Sequence, residues 1–283
     1  YQVGTNNVTT QNATNFNSNV TVVGALTIDK ANITAITGVT LSDKVYDGTL
    51  NATFNASAAN FTGKVAGDTL TLTGGTGGFA SKNVGSAINV SVTNMTLGGA
   101  DAGNYNVTGG TPSFNGTANI TAAAVTITAG AQTKTYDGTT NVSNTSGYTA
   151  SGVVAGESIT ASLAYADKNA GAANKTIAVS NATAGANTSL SNYNVTLVNS
   201  TTSTINQANL TITAGAQTKT YDGSTNVSNT SAFTTSGLVG SEAISGVTLA
   251  YTDKNAGAAN KTIAVSAAVA GANTSLSNYN VSY

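Results

Sequence analysis

The segment running from Ala129 through Gln132, Lys134 and Tyr136 to Gly138 is written again, residue for residue, from Ala214 to Gly223, 85 positions later. A diverged copy is centred on Val45-Tyr46-Asp47-Gly48-Thr49. Self-similarity at a fixed period makes each period a structural unit, so the chain reads as an array before it reads as anything else. Further landmarks keep the register. Ala164-Tyr165-Ala166-Asp167-Lys168-Asn169-Ala170-Gly171 returns as Ala250-Tyr251-Thr252-Asp253-Lys254-Asn255-Ala256-Gly257, and Ser191-Asn192-Tyr193-Asn194-Val195 returns at Ser277 to Val281. The first of these is displaced by 86 residues, which places a one-residue insertion between Gly240 and Gly246. Units of this length are sandwich-sized, too long for solenoid rungs of roughly 20 to 50 residues.

The spacing predicts residues 31–122, 123–208 and 209–283 as three repeats, preceded by residues 1–30 as the closing strands of an earlier repeat or as a donated strand. Within the second repeat, Ala124-Val125-Thr126-Ile127-Thr128 alternates apolar and polar residues, as a half-buried strand does. Lys134-Thr135-Tyr136 is a short extended piece closed by the turn signal Asp137-Gly138. Further strands are expected at Tyr148–Val154, Ser158–Ala166, Lys175–Ser180, Tyr193–Asn199 and Ser203–Thr213. About seven short strands with turn residues between them predict an all-β fold of tandem antiparallel, Ig-like β-sandwich modules. No proline-rich or glycine-rich spacer separates the modules at Ala118–Val125 or Ile205–Thr213, so an elongated, semi-rigid array is expected.

The two ends carry a further expectation. The third repeat stops one strand short of the second, and Val22 to Asp29 precede the first repeat much as a final strand would. Either the chain is cut from a longer polypeptide between equivalent tyrosines, or its first segment completes the open edge of a neighbouring chain.

Composition removes several classes of function. There is no histidine, cysteine or tryptophan, only 7% of residues are charged, and the formal charge is −1. Singly spread lysines make no basic face, so no nucleic-acid partner is expected. Without cysteine there is no disulfide framework or thiol chemistry. No apolar run reaches the roughly 18 residues of a membrane-spanning helix. Val, Ile and Thr are abundant, which favours ordered strands over disorder.

Each candidate chemistry has a structural reading beside it. Asp47, Asp137 and Asp222 are read as turn aspartates whose carboxylates accept backbone N–H groups while Gly48, Gly138 and Gly223 take positive φ. Eleven acidic residues over three modules are too sparse for calcium, so no metal site and no cofactor are expected. Nucleophilic catalysis lacks a partner set, and no catalytic residue is assigned. Tyr46, Tyr136 and Tyr221 are expected to pack on the sheet with hydroxyls bonded to backbone, the alternative being a sugar-stacking platform. Asp167-Lys168 and Asp253-Lys254 are expected to be solvated turn residues. One pattern stands out: 25 of the 35 asparagines head an Asn-x-Ser/Thr triplet, including Asn119, Asn194, Asn209 and Asn280. Ser/Thr content alone would give roughly 10, which makes N-glycosylation a hypothesis at these positions.

Lys134-Thr135-Tyr136-Asp137-Gly138-Thr139, followed by Asp167-Lys168-Asn169-Ala170-Gly171 and Asn192-Tyr193-Asn194-Val195, resembles the YDG-type repeats of filamentous-haemagglutinin-like bacterial surface adhesins exported by two-partner secretion. The first copy departs from the pattern with Val45 for threonine and Ser81-Lys82-Asn83 for Asp-Lys-Asn. The resemblance implies non-catalytic stalk or spacer repeats of a large secreted, cell-surface adhesin acting in adhesion or biofilm formation. Its partners would be neighbouring repeats, identical chains, or host and matrix glycans. Two alternatives stand beside it: a filament subunit joined by strand donation, and a carbohydrate-binding module.

Overall fold

A computed structural model of the protein describes residues 27–283. The chain is all-β, with helix confined among the described residues to the 3-10 turns Ala102–Asn104, Leu190–Asn192 and Leu276–Asn278. Each of these turns leads directly into a tyrosine, Tyr105, Tyr193 or Tyr279, that starts a strand. The chain forms two compact units, residues 1–122 and 123–283. The reading of residues 1–30 as closing or donated strands falls mostly on residues 1–26, which lie outside the described residues.

In the first unit a five-stranded sheet runs in the order Lys44–Val45, Phe114–Thr121, Gly85–Gly98, Thr71–Phe79, Asn51–Ala52. Ala31–Ile33 pairs in parallel with Tyr105–Val107. Ile33, Val90, Val92, Met95 and Ile120 are almost fully buried and form the core of this unit.

The second unit contains the second and third repeats. In the second repeat, Ala123–Ala129 lies between Tyr148–Ser151 and Tyr193–Val198, and Ser200–Asn206 lies between Thr133–Thr135 and Gly171–Ala184, with Ile159–Tyr165 beyond. The alternation read in the sequence is visible in the burial: Ala123, Val125, Ile127 and Ala129 point inward and Ala124 and Thr126 outward. Burying side chains the size of Val125 and Ile127 stabilises by about 1.5–3 kcal/mol each. The third repeat repeats the first sheet with Phe233–Ser236, Ala208–Ala214 and Tyr279–Ser282. Its other sheet holds only Ile244–Tyr251 and Ile263–Ala270 among the described residues.

Three expectations are corrected here. The sheets are mixed: Ala123–Ala129 is parallel to Tyr193–Val198, and Thr133–Thr135 is parallel to Ser200–Asn206. Alternation reports which face is buried and is silent on strand direction. Second, the continuous strand expected over Ser203–Thr213 breaks at Gln207, where the chain leaves the last sheet of one repeat and enters the first sheet of the next. Third, the strand expected over Lys175–Ser180 runs from Gly171 to Ala184. It continues past apparent breaks because irregular pairing accommodates left-handed residues at Ala173, φ 51°, and Asn181, φ 50°.

The single inserted residue also has a structural address. Ile159–Tyr165 shifts register once against its partner, between Thr160 and Ser162, whereas Ile244–Tyr251 shifts twice, on either side of Gly246. An extra residue in one strand is absorbed as an extra bulge, which leaves the landmarks on both sides in place.

Candidate functional site at the joint between the second and third repeats

The tyrosine motif begins with a lysine that clamps the turn following it. In the second repeat Lys134 Nζ donates to Asp137 Oδ1 at 2.7 Å, to the Thr139 carbonyl at 2.8 Å and to the Asn141 carbonyl at 3.0 Å. Asp137 Oδ1 also accepts from the Thr139 N–H and hydroxyl, both at 2.9 Å, and Gly138 takes φ 75°. The ammonium lies 5.4 Å from the Tyr165 ring centre. Lys44 with Asp47, Thr49 and Phe79, and Lys219 with Asp222, Ser224 and Tyr251, build the same turn around Gly48 and Gly223. The carboxylates are consumed by it. The Lys219 ammonium and the Ser224 N–H and hydroxyl pull Asp222 down to about 2. For Asp137, burial pushes upward, but the bonds from Lys134 and Thr139 outweigh it and the carboxyl stays below its ordinary value.

The Asp-Lys-Asn motif is a second turn of the same logic. Asp167 accepts the Asn169 N–H at 2.9 Å and pairs with Lys175, eight residues on, at 2.8 Å. Asp253 does the same with Asn255 and Lys261. In the first repeat, Ser81 Oγ takes the aspartate's place and accepts the Asn83 N–H at 3.1 Å. The adjacent lysines Lys168 and Lys254 lie on exposed turn positions.

These two turns meet the third repeat. Tyr136, 3% exposed, donates its hydroxyl to Glu242 Oε1 at 2.5 Å and packs edge-on against Tyr279, ring centres 5.6 Å apart. Tyr279 donates to the other oxygen of the same carboxylate, and its hydroxyl accepts the Val239 N–H at 2.9 Å. Asn278, 1% exposed, accepts the Ala170 N–H at 2.9 Å and donates to Asn169 Oδ1 at 3.2 Å. Each repeated motif therefore supplies one half of a joint: Tyr136 and Asn169-Ala170 face forward from the second repeat, while Glu242 and Asn278-Tyr279 face back from the third.

The tyrosine expectation needs revision in two places. The Tyr136 hydroxyl meets a carboxylate of the next repeat rather than backbone, whereas backbone carbonyls are met by Tyr165 and Tyr251, at Gln132 and Gln217 respectively. Tyr221 is 62% exposed, although Tyr46 and Tyr136 are buried at 3%. Glu242 was not singled out from sequence, yet a signal existed: the only two glutamates of the chain, Glu157 and Glu242, are 85 residues apart. Glu157 accepts from Tyr193 at 2.7 Å, and Asp68 accepts from Tyr105 in the first repeat.

Burial, followed by the Glu242 carboxylate, pushes both Tyr136 and Tyr279 up to about 12. A phenol in the unfolded chain ionises near pH 10. The stabilisation is therefore complete below about pH 10 and is lost as pH rises through about 12, because the folded joint must retain protons that the unfolded chain releases. Urea midpoints of the full chain should fall over that window, and Tyr136→Phe, with one late phenol fewer, should fall less steeply. A midpoint flat from pH 9.5 to 12 would contradict the joint's protonation.

The YDG domain model matches residues 29–113, 120–204 and 206–283. The chain belongs to the YDG domain family. No curated protein matches it, and no solved structure does either. The match corrects the assignment to filamentous-haemagglutinin-like, two-partner-secretion adhesins: what is found is the YDG domain in three copies, with no adhesin or secretion assignment attached. Among the described residues no group of three or more acidic, histidine or cysteine side chains could hold a metal, and no helix is long and apolar enough to cross a membrane. Asn194, Asn209 and Asn280 are exposed on YDG-repeat strands. Asn119 differs, since its amide donates to Asp43 at 2.9 Å and accepts the Ala87 N–H at 2.9 Å.

Proposed function

We propose that this chain is a structural spacer, a run of YDG modules whose recurrent motifs serve to join one module to the next. The observation that carries the reading is the Glu242 carboxylate held by Tyr136 of one repeat and Tyr279 of the following one. A carboxylate shared by two buried phenols sets both the spacing and the orientation of the parts that carry them. In this reading each module is an Ig-like sandwich, its two sheets facing across side chains such as Val125, Ile127, Ile177 and Ile205, and the modules form an elongated array.

Half of the ten lysines are tied up in the turns. Lys44, Lys134, Lys175, Lys219 and Lys261 each pair with an aspartate within 2.8 Å. With a formal charge of −1, this supports a spacer over a surface that reads nucleic acid, which would present unpaired basic groups to phosphates. The exposure of Asn194, Asn209 and Asn280 supports an extracellular setting in which such triplets carry sugar.

Small-angle scattering from the full chain tests the reading. An elongated particle is expected, with a pair-distance distribution skewed to long distances. A symmetric distribution, as a compact globule gives, would overturn it.

A further inference from the structure

The second repeat is entered and left by strands that run side by side in the same direction. Ala123–Ala129 pairs in parallel with Tyr193–Val198 over six positions, from Ala123 opposite Tyr193 to Thr128 opposite Val198. Thr133–Thr135 then pairs in parallel with Ser200–Asn206 over three more. Partners are 70 positions apart in the first ladder (123 and 193) and 71 in the second (133 and 204), so the two runs pass from one sheet to the other together. The chain therefore enters the repeat at Ala123, at one end of this paired run, and leaves it at Asn206, at the other.

The run is reinforced where it changes sheets. The Thr204 N–H donates to the Gln132 carbonyl at 2.9 Å, the Gln132 N–H to Ser203 Oγ at 3.1 Å, and the Tyr136 N–H to the Asn206 carbonyl at 2.8 Å. The Tyr165 hydroxyl covers the second ladder, reaching the Gln132 and Thr204 carbonyls at 3.1 and 3.2 Å. Val125, Ile127 and Ile205, all on the run, are at most 1% exposed, so water has little access to replace its bonds as they stretch. Tyr136 closes the last rung with its N–H and holds Glu242 of the third repeat with its hydroxyl. The first repeat is built in the same way with shorter ladders: Ala31–Ile33 runs parallel to Tyr105–Val107 over three positions and Lys44–Val45 to Ile120–Thr121 over two. There the Tyr46 N–H donates to the Thr121 carbonyl at 2.8 Å.

This path decides how a module meets a pull. Tension along the chain draws Ala123 and Asn206 apart, in opposite senses and along the strands, so every rung between the two runs is strained at once. A pull across the strands would instead open one rung at a time. Forced unfolding is governed by the unfolding barrier rather than by equilibrium stability. Rungs that must break together therefore raise that barrier far more than their modest net contribution at equilibrium implies.

We propose that the YDG module is a mechanical clamp, whose first and last strands form a parallel ladder that is sheared, and so resists, when the chain is placed under tension. The proposal deepens the spacer reading by naming the stress a spacer withstands. It rests on strand pairing inside one repeat, so a compact particle in scattering would overturn the spacer and leave the clamp standing.

Single-molecule pulling on the full chain, in two directions, tests it. Thr126 and Thr196 are exposed partners in the first ladder, and the chain has no cysteine of its own. In Thr126→Cys/Thr196→Cys, reduced, handles on the two thiols pull across the ladder, and handles on the chain ends pull along it. Both pulls use the same variant, so any change in stability acts on both alike. The second repeat should yield at several times higher force along the chain than across it. Neighbouring strands lie about 4.8 Å apart, within the Cα separations of about 4.4–6.8 Å that a disulfide spans. Oxidation should therefore lock the ladder, and a high-force event of the end-to-end trace should then release roughly 240 Å less chain, which assigns that event to the second repeat. Equal forces in the two directions overturn the proposal. So does an oxidised trace in which only a low-force event is shortened.

Discussion

Replacing Tyr136 by alanine should destabilise the 123–283 unit by about 3–5 kcal/mol, the range for truncating a large buried aromatic. The same substitution at Tyr221, the residue in the identical motif 85 positions later, should change stability by no more than about 0.5 kcal/mol. The contrast follows from the surroundings alone. Tyr136 is 3% exposed, packed edge-on against Tyr279 and bonded to Glu242, while Tyr221 is 62% exposed. Alanine at 136 removes the ring and also leaves Glu242 with one phenol donor in place of two, a group whose remaining desolvation adds to the cost. Tyr136→Phe separates the two contributions, because it keeps the packing and deletes only the bond, for about 1–3 kcal/mol. Denaturant midpoints of the three variants decide the matter. Equal losses at 136 and 221 would mean that the tyrosine stabilises its own turn and contributes nothing to the joint.

The module and its punctuation were legible in the sequence, because they depend on short-range rules. Asp137-Gly138 demanded a turn, the Ala123–Ala129 alternation demanded a half-buried strand, and each repeated landmark returned at its expected place in the third repeat. Partnership was not legible. The pairing of Asp167 with Lys175 spans eight residues across an irregular strand, and nothing in the local text of Asp167-Lys168, read as a solvated turn, points to it. Strand direction was equally hidden, since a parallel and an antiparallel neighbour bury the same face. Most of all, repetition in sequence does not mean repetition of environment. Tyr136 and Tyr221 share their local text and differ in everything beyond it, because burial at this position is supplied by residues more than a hundred positions away, Glu242 and Tyr279.

Gly237 should tolerate no side chain, and Gly237→Ala should cost about 2–5 kcal/mol, combining left-handed strain with displacement of packed backbone. The residue ends the strand Phe233–Ser236 at φ 100°, and a Cβ built on it would lie 2.1 Å from the Asn209 carbonyl oxygen. That oxygen belongs to Ala208–Ala214, the central strand of its sheet, with Leu210 and Ile212 fully buried beside it, so it cannot yield without moving the core. The same crossing recurs where Gly152 would meet the Ala124 carbonyl and Gly63 the Asn32 carbonyl, each at 2.2 Å. Three independent positions therefore make one prediction, and each substitution should lower the unfolding midpoint of its own unit. Gly223 is the control: it also takes positive φ, 78°, but nothing lies within 4 Å of its Cβ position. Alanine there should cost only the conformational penalty, about 1–2 kcal/mol. If Gly223→Ala were as damaging as Gly237→Ala, backbone conformation alone would govern these turns, and close approach to a neighbouring strand's carbonyl would have no part in why glycine stands at all three crossings.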